Sequence, residues 1–348
     1  MKKLKDISLQ ITEEEYRNDG FMHYSTLQTY ERLGFHSIPT LFDKKESESL
    51  IFGSVVDTLM TDAPDEFEKQ YLVTDLDVDT SSILIKATKG LFNLYNDTYT
   101  SLDEIPSETL LAVLDEINYG RGWKTDTRID KLKKAGSEYY RLMYLAKDKT
   151  IISSETYNNA LACVRALHES PATKQLFAVD NPFEPEIERC YQIKFRNTFK
   201  GVTYTIMADL VFADHKRKII IPCDLKTSSH YEDEFYKSFV EWRYDLQARL
   251  YASLIKAAIE NDDYFKDFKM LNYHFIVVNK KTLTPLVWEF PDTYNMNTLY
   301  YGKDKQLIFR HPFEIGKELN AYLKNTPSVP NGINLAKPNN LNEFLMKI

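Results

Sequence analysis

Between Asp209 and Tyr251 the chain sets out an acid (Asp209), a second acid two residues before a lysine (Asp224, Lys226), and a glutamine four residues before a tyrosine (Gln247, Tyr251). Two carboxylates brought close together repel unless a cation lies between them, and an oxygen-only donor set selects a hard ion such as Mg²⁺ or Mn²⁺. An ion of that kind activates water, holds a phosphate oxygen and stabilises a leaving alkoxide. A neighbouring ammonium, Lys226, suits orienting the attacking water or neutralising charge on a phosphorane. The chemistry these residue types point to is phosphodiester hydrolysis.

The elements that must position them are read from hydrophobic period and turn signals. EIERCYQIKF, VTYTIMADLVF and IIIPCDLKT, separated by turns around Asn197–Gly201 and Asp214–Lys218, predict a three-stranded meander. Asp224 and Lys226 then leave one face of their strand and Leu225 the other, while Asp209, late in the preceding strand, lies near Asp224 across the short turn. Pro222 has no N–H to donate, which predicts an edge strand or a bulge at that point. A helix over about Trp242–Ala258 places Gln247 and Tyr251 on one face. There they hold a phosphate or an end nucleotide, or Tyr251 packs in the core with Leu250 and Leu254. Glu188 on the first strand is a candidate further ligand, direct or through water. Glu186 shares its face as a rival, and an exposed strand carboxylate is the plain alternative.

Upstream, the pattern predicts a short helix from His23-Tyr24-Ser25, a loop over Gly34–Lys45, and a second helix over about Ser49–Met60 carrying Gly53 and Asp57 one turn apart. Gly53 invites a close backbone neighbour and Asp57 then faces a site, or Asp57 is a solvated helix residue. Residues 81–145 show repeated apolar spacings of three and four, a helical insertion. Within it Tyr119-Gly120-Arg121-Gly122-Trp123-Lys124 suits either base stacking with phosphate pairing or a loop anchored by its Trp. A helix over Thr156–Leu167 is capped by Ser153 or Ser154, and His168 near its end complements the helix dipole. LNYHFIVVN and LTPLVWEF predict two more strands, and Thr293–Lys324 a closing helical segment. The expected fold class is α+β, sandwich-like: a mixed β-sheet core flanked by helices, with a helical insertion in the N-terminal half. The expected domains are residues 1–60 (helices contributing to the core), 61–150 (insertion), 151–325 (core) and 326–348 (C-terminal tail).

Whole-chain properties bound the function. The 348 residues are 43% hydrophobic and 13% aromatic with 11 Gly, the profile of an ordered core. A net charge of -7 argues against a histone-like binder, so contact with DNA would fall to local cations, for which Lys216, Arg217, Lys218, Lys237, Arg243 and Arg249 are the candidates. Cys163, Cys190 and Cys223 are odd in number and widely spaced, which indicates neither a disulfide framework nor a zinc or iron–sulfur site. No apolar run reaches a membrane span, and a cytoplasmic protein is the expectation.

Taken together, Asp209, Asp224-Leu225-Lys226 and Gln247 with Tyr251 resemble the PD-(D/E)xK nuclease superfamily, and within it the RecB-like and RecE-like phage exonucleases. WRYDLQARLYAS and DLKTSS are especially similar to RecE-type segments. The resemblance covers roughly residues 184–290 and, more faintly, Ser25 and IFGSVVDTLM, where Asp57 stands at a position many relatives fill with His. It implies a restriction-endonuclease-like fold and a Mg²⁺- or Mn²⁺-dependent DNA exonuclease acting on double strands in phage or mobile-element recombination, repair or replication. It further implies Asp209, Asp224, Lys226, Gln247 and Tyr251 as catalytic residues. Asp57, Glu188, Asp209, Asp224 and the Leu225 carbonyl are the implied metal ligands, with Glu188 in the place of the upstream acid. A single-strand annealing protein is the implied partner, and a homo-oligomer is compatible with relatives that form rings. The competing expectation is a catalytically inactive nuclease-fold protein that binds DNA or assembles on it.

Overall fold

In a computed structural model of the chain, residues 1–42, 47–61, 65–76, 82–291, 298–300, 306–308 and 310–325 are described. The chain divides into two compact units, Met1–Thr61 with Ala162–Ile348, and Asp62–Leu161. The first begins with α1 (Glu13–Arg17), α2 (Tyr24–Leu33) and α3 (Glu48–Thr61). The second holds α4 (Glu66–Gln70), β1 (Tyr71–Thr74), α5 (Ile83–Tyr95), α6 (Ser107–Glu116), α7 (Thr125–Ala146) and β2 (Thr150–Ser153), and α8 (Ser154–Glu169) runs from one unit into the other. The first unit then continues with β3 (Ile187–Phe199), β4 (Val202–Asp214), β5 (Ile219–Thr227), α9 (Phe235–Glu241), α10 (Tyr244–Glu260), β6 (Lys269–Met270), β7 (Tyr273–Val278), β8 (Leu286–Phe290), β9 (Thr298–Tyr300), β10 (Gln306–Ile308) and α11 (Pro312–Asn325).

The first unit is an α+β fold around a mixed sheet of order β3-β4-β5-β7-β8, with β6 beside β5. β3, β4 and β5 are the expected antiparallel meander. Its first hairpin closes on Lys200 and Gly201, both at positive φ (50° and 75°), the two-residue turn that matches strand twist. β5 then pairs in parallel with β7, a connection that requires a crossover, supplied by α9 and α10. β7 has neighbours on both sides and covered faces, so Phe275, Ile276, Val277 and Val278 form an unbroken buried run. α10 lays Leu246, Leu250, Leu254 and Ile255 into the same core as Phe235, Tyr273 and Phe275.

Several expectations change. β5 is central, not an edge strand, and Pro222 pairs in register with Val211. Pro222 is tolerated because, on the other flank, β5 pairs with β6 through Ile219 and Ile220 and with β7 only from Cys223, leaving residue 222 between the two. Residues Gly34–Thr40 form a 3-10 helix instead of an open loop. The closing segment is not helical throughout: β9 and β10 pair antiparallel before α11. The tail expected at 326–348 lies outside the described residues.

In the second unit α5, α6 and α7 bury Leu91, Leu102, Leu110, Leu114, Leu132 and Tyr140. Gly136 is required there, because a Cβ would stand 2.1 Å from Thr88 Oγ1. Trp123 is 49% exposed and packs on its own loop, edge-on to Tyr119 and over Gly120, with Lys131 Nζ 4.9 Å from its ring centroid. Among the described residues no helix is long and apolar enough to cross a membrane.

Candidate active site

The fork between β4 and β5 builds the site. Their ladder ends at the Leu210–Cys223 pair, after which β5 follows β7 alone. The N–H of Leu225, released from β4, donates instead to Asp209 Oδ2 at 2.9 Å. Asp209 is thereby held against the strand that carries Asp224, and the two acids lie within each other's electrostatic reach as the register predicts. Asp224 is 1% exposed. Its Oδ1 accepts from Gln247 Nε2 at 2.5 Å, and its Oδ2 meets Lys226 Nζ at 2.5 Å. The other amide atom of Gln247, Oε1, is buried with no hydrogen-bond partner among the described residues.

The electrostatics follow from burial and crowding of like charge. Burial, then the negative charges of Asp224 and Asp57, push the Asp209 carboxyl well above its ordinary range, with Lys226 and the Leu225 N–H opposing. Burial works to lower the Lys226 ammonium, but Asp224, Tyr244 and Asp209 outweigh it and hold it above its ordinary value. Lys226 therefore remains a cation, and it sits 4.9 Å from the centroid of the Tyr244 ring. Asp57 belongs to the same electrostatic neighbourhood because α3 lies close to β5: a Cβ on Gly53, one turn earlier, would stand 3.2 Å from Thr227 Oγ1.

Hydroxyls surround the acids. Tyr251 is 6% exposed and bonded to Tyr16, and burial, followed by Tyr16, Asp224 and Asp209, raises it well above its ordinary value. Tyr24 is raised by burial, Tyr244 and Asp224, and its hydroxyl donates to the Trp242 carbonyl at 2.7 Å. Tyr273, raised by burial and then Asp224, keeps its hydroxyl without a hydrogen-bond partner among the described residues. All of these remain protonated donors. Tyr251 packs in the core with Leu250 and Leu254, with its hydroxyl on Tyr16 and within the electrostatic reach of Asp224 and Asp209.

Other expected residues lie elsewhere. Glu188 pairs with Ala213, four residues along β4 from Asp209, roughly 13 Å away at ~3.3 Å per residue. Its carboxylate accepts from the Leu4 N–H at 3.0 and 3.2 Å and from Cys190 Sγ at 3.2 Å, and contacts His215 Nε2 at 2.8 Å. It fastens the N-terminal segment to the sheet and is not beside the paired acids. Lys216, Arg217 and Lys218 occupy the β4–β5 turn beyond Asp214, roughly 17 Å or more from Asp209 at ~3.3 Å per residue. Arg217 and Lys218 there face Asp214 and Asp267. Arg243 and Arg249 are 5% and 7% exposed, so neither forms an open phosphate track, and Arg243 is bound by Glu31 and Asp245 at 2.9 Å each. Lys237 is half-buried on α9 beside Glu234.

One residue was not legible in the sequence. Gln192 lies opposite Asp209, between the Tyr191–Leu210 and Ile193–Ala208 pairs, at φ 49°. A side chain in that region costs roughly 1–2 kcal/mol, and no local residue pattern signals it. Its Nε2 donates to Asp57 Oδ2 at 2.6 Å and to Thr61 Oγ1 at 3.2 Å.

No protein-family model and no curated protein matches the chain. Among solved structures it is similar to a candidate exonuclease from Eubacterium rectale, 14% identical over 82% of this chain and 80% of that one, with a TM-score of 0.38.

Proposed function

We propose that the chain is a divalent-metal-dependent deoxyribonuclease that hydrolyses phosphodiester bonds, an exonuclease of the PD-(D/E)xK type acting on double-stranded DNA in phage or mobile-element recombination, with a single-strand annealing protein as partner. The carrying observation is the fork itself: Asp209 is tied to the Leu225 N–H beside Asp224, and Asp224 is met by Lys226 and Gln247.

These residues fit Mg²⁺ or Mn²⁺. The donor set is oxygen, and the two aspartates stand close enough that one resists ionising until a cation compensates it. Among the described residues no three His, Cys, Asp or Glu side chains enclose an ion by themselves. Mg²⁺ takes one or two carboxylates and fills its other positions with water and phosphate. Asp209, Asp224 and the Leu225 carbonyl would hold it, with Asp57 nearby, and when bound it supplies an activated water and charge for the leaving oxygen. Lys226, fixed as a cation, offsets charge developing on the phosphate oxygens. Gln247 holds Asp224 in one rotamer, and the hydrogen-bonded Tyr16–Tyr251 pair leaves one hydroxyl proton free to donate toward the site.

The test is degradation of end-labelled linear duplex with Mg²⁺ or Mn²⁺. Cleavage should vanish with chelator and fall on the order of 10³-fold in Lys226→Ala and Asp224→Ala while DNA binding persists. Wild-type protein that binds DNA but leaves it intact with either ion would establish the inactive binding protein instead. Equal cleavage by wild type and Asp224→Ala would place the site elsewhere.

A further inference from the structure

Gln192 combines three observations that a structural side chain does not need together. Its backbone is left-handed (φ 49°) inside a long strand, where glycine or asparagine is the residue that adopts such a conformation most readily. Its amide nitrogen is directed at Asp57 Oδ2 and Thr61 Oγ1, both on α3. Its amide oxygen is buried and has no hydrogen-bond partner among the described residues. The strained residue stands opposite Asp209, whose carboxyl is influenced by Asp57. Backbone strain that persists beside a cluster of acids is the kind of observation from which a functional role is properly inferred.

We infer that Gln192 is the positioning residue of the cation site: its amide N–H fixes Asp57 of α3 against the β4–β5 fork, and its amide oxygen receives the water of a divalent ion held there. The inference rests on the metal-dependent reading above and deepens it. An amide suits the position on physical grounds. Being neutral, it can donate to one carboxylate without adding a further acid to Asp57, Asp209 and Asp224. A carboxylate could not donate to Asp57 when ionised, and a shorter side chain would not span from β3 to α3. A buried oxygen with no protein donor is satisfied by water, and a hydrated cation supplies that water in a fixed orientation.

The discriminating variant is Gln192→Gly, since glycine accepts positive φ without strain and the fold is thereby spared. Mn²⁺ binding is measured by calorimetry on the full chain without DNA, alongside the Mn²⁺ dependence of duplex cleavage. Gln192→Gly should keep its melting temperature in chelator and weaken Mn²⁺ binding ten- to a hundredfold, the range seen when a residue orienting a ligand is lost. Its cleavage should recover substantially at saturating Mn²⁺, so that the metal requirement moves more than the maximal rate. Gln192→Glu should lower the melting temperature in chelator by placing a second negative charge against Asp57, and Mn²⁺ should restore it. Wild-type Mn²⁺ affinity in Gln192→Gly overturns the role of Gln192 while leaving the nuclease reading intact. Absence of both Mn²⁺ binding and cleavage in the wild-type protein overturns the nuclease reading, and this inference with it.

Discussion

Gln247 Nε2 lies 2.5 Å from Asp224 Oδ1, so a side chain one turn into α10 fixes the rotamer of an acid on the central strand β5. Gln247→Ala should leave the fold and DNA affinity in place and lower the maximal cleavage rate roughly ten- to a hundredfold, the scale of losing a group that orients a metal ligand. Single-turnover kinetics at saturating Mn²⁺ checks this. An unchanged rate would show that Asp224 needs no orienting partner.

The cations near the site divide by burial. Arg243 is enclosed by Glu31 and Asp245, and truncating one member of such a network leaves buried charge uncompensated. Arg243→Ala should cost about 3–5 kcal/mol in urea unfolding. Neutralising Lys216, Arg217 and Lys218 together should alter neither stability by more than about 0.5 kcal/mol nor the rate of cleavage, because the turn lies roughly 17 Å or more from Asp209. A change in the salt dependence of DNA binding in the triple variant would show that the duplex reaches that turn.

Glu188 is a fastening for the N-terminus. Glu188→Gln keeps the shape but exchanges a carboxylate for an amide facing the Leu4 N–H, Cys190 and His215. Stability should fall by about 1–3 kcal/mol, and proteolysis should reach the first residues sooner. Mn²⁺ affinity of the folded fraction should match wild type; a large loss would return Glu188 to the metal shell.

His311 predicts a pH dependence. Burial, then Arg249 and Lys200, lower its imidazole from 6.5 to about 4, and its Nδ1 accepts from the Phe313 N–H at 3.3 Å at the start of α11. The unfolded chain therefore takes up a proton below pH 6.5 that the folded chain refuses until about pH 4. This part of the stability is complete above pH 6.5 and is lost as pH falls toward 4. The histidine is partly open to solvent, so the effect is on the order of 1 kcal/mol. Urea midpoints across that range should show a shallower acid slope in His311→Asn than in wild type.

The legible parts were those where side-chain period and chemistry coincide. Alternation along VTYTIMADLVF and IIIPCDLKT placed Asp209, Asp224 and Lys226 on shared strands, and helical spacing put Gln247 and Tyr251 on one face. The misplaced parts depend on distance along an element, which residue type does not encode. Glu188 has a suitable strand and a suitable chemistry but stands four residues too far along the hairpin. Arg243 reads as a surface cation until Glu31, distant in sequence, is seen beside it. Pro222 argues against a central strand unless the handover from β6 to β7 is known. Gln192 is invisible because its left-handed backbone is imposed by the surrounding tertiary structure.

The parting of β4 and β5 also orders events during folding. β3, β4 and β5 are joined by tight turns and can pair while the rest of the chain is unformed, whereas β5 meets β7 only after α9 and α10 have been threaded between them. The loop-closure entropy of that crossover must be met before β5 pairs with β7. A chain ending before α10 would carry both aspartates on the paired meander and yet lack Gln247 against Asp224, so the contact that orients Asp224 depends on a segment later in sequence than the strands that carry the acids.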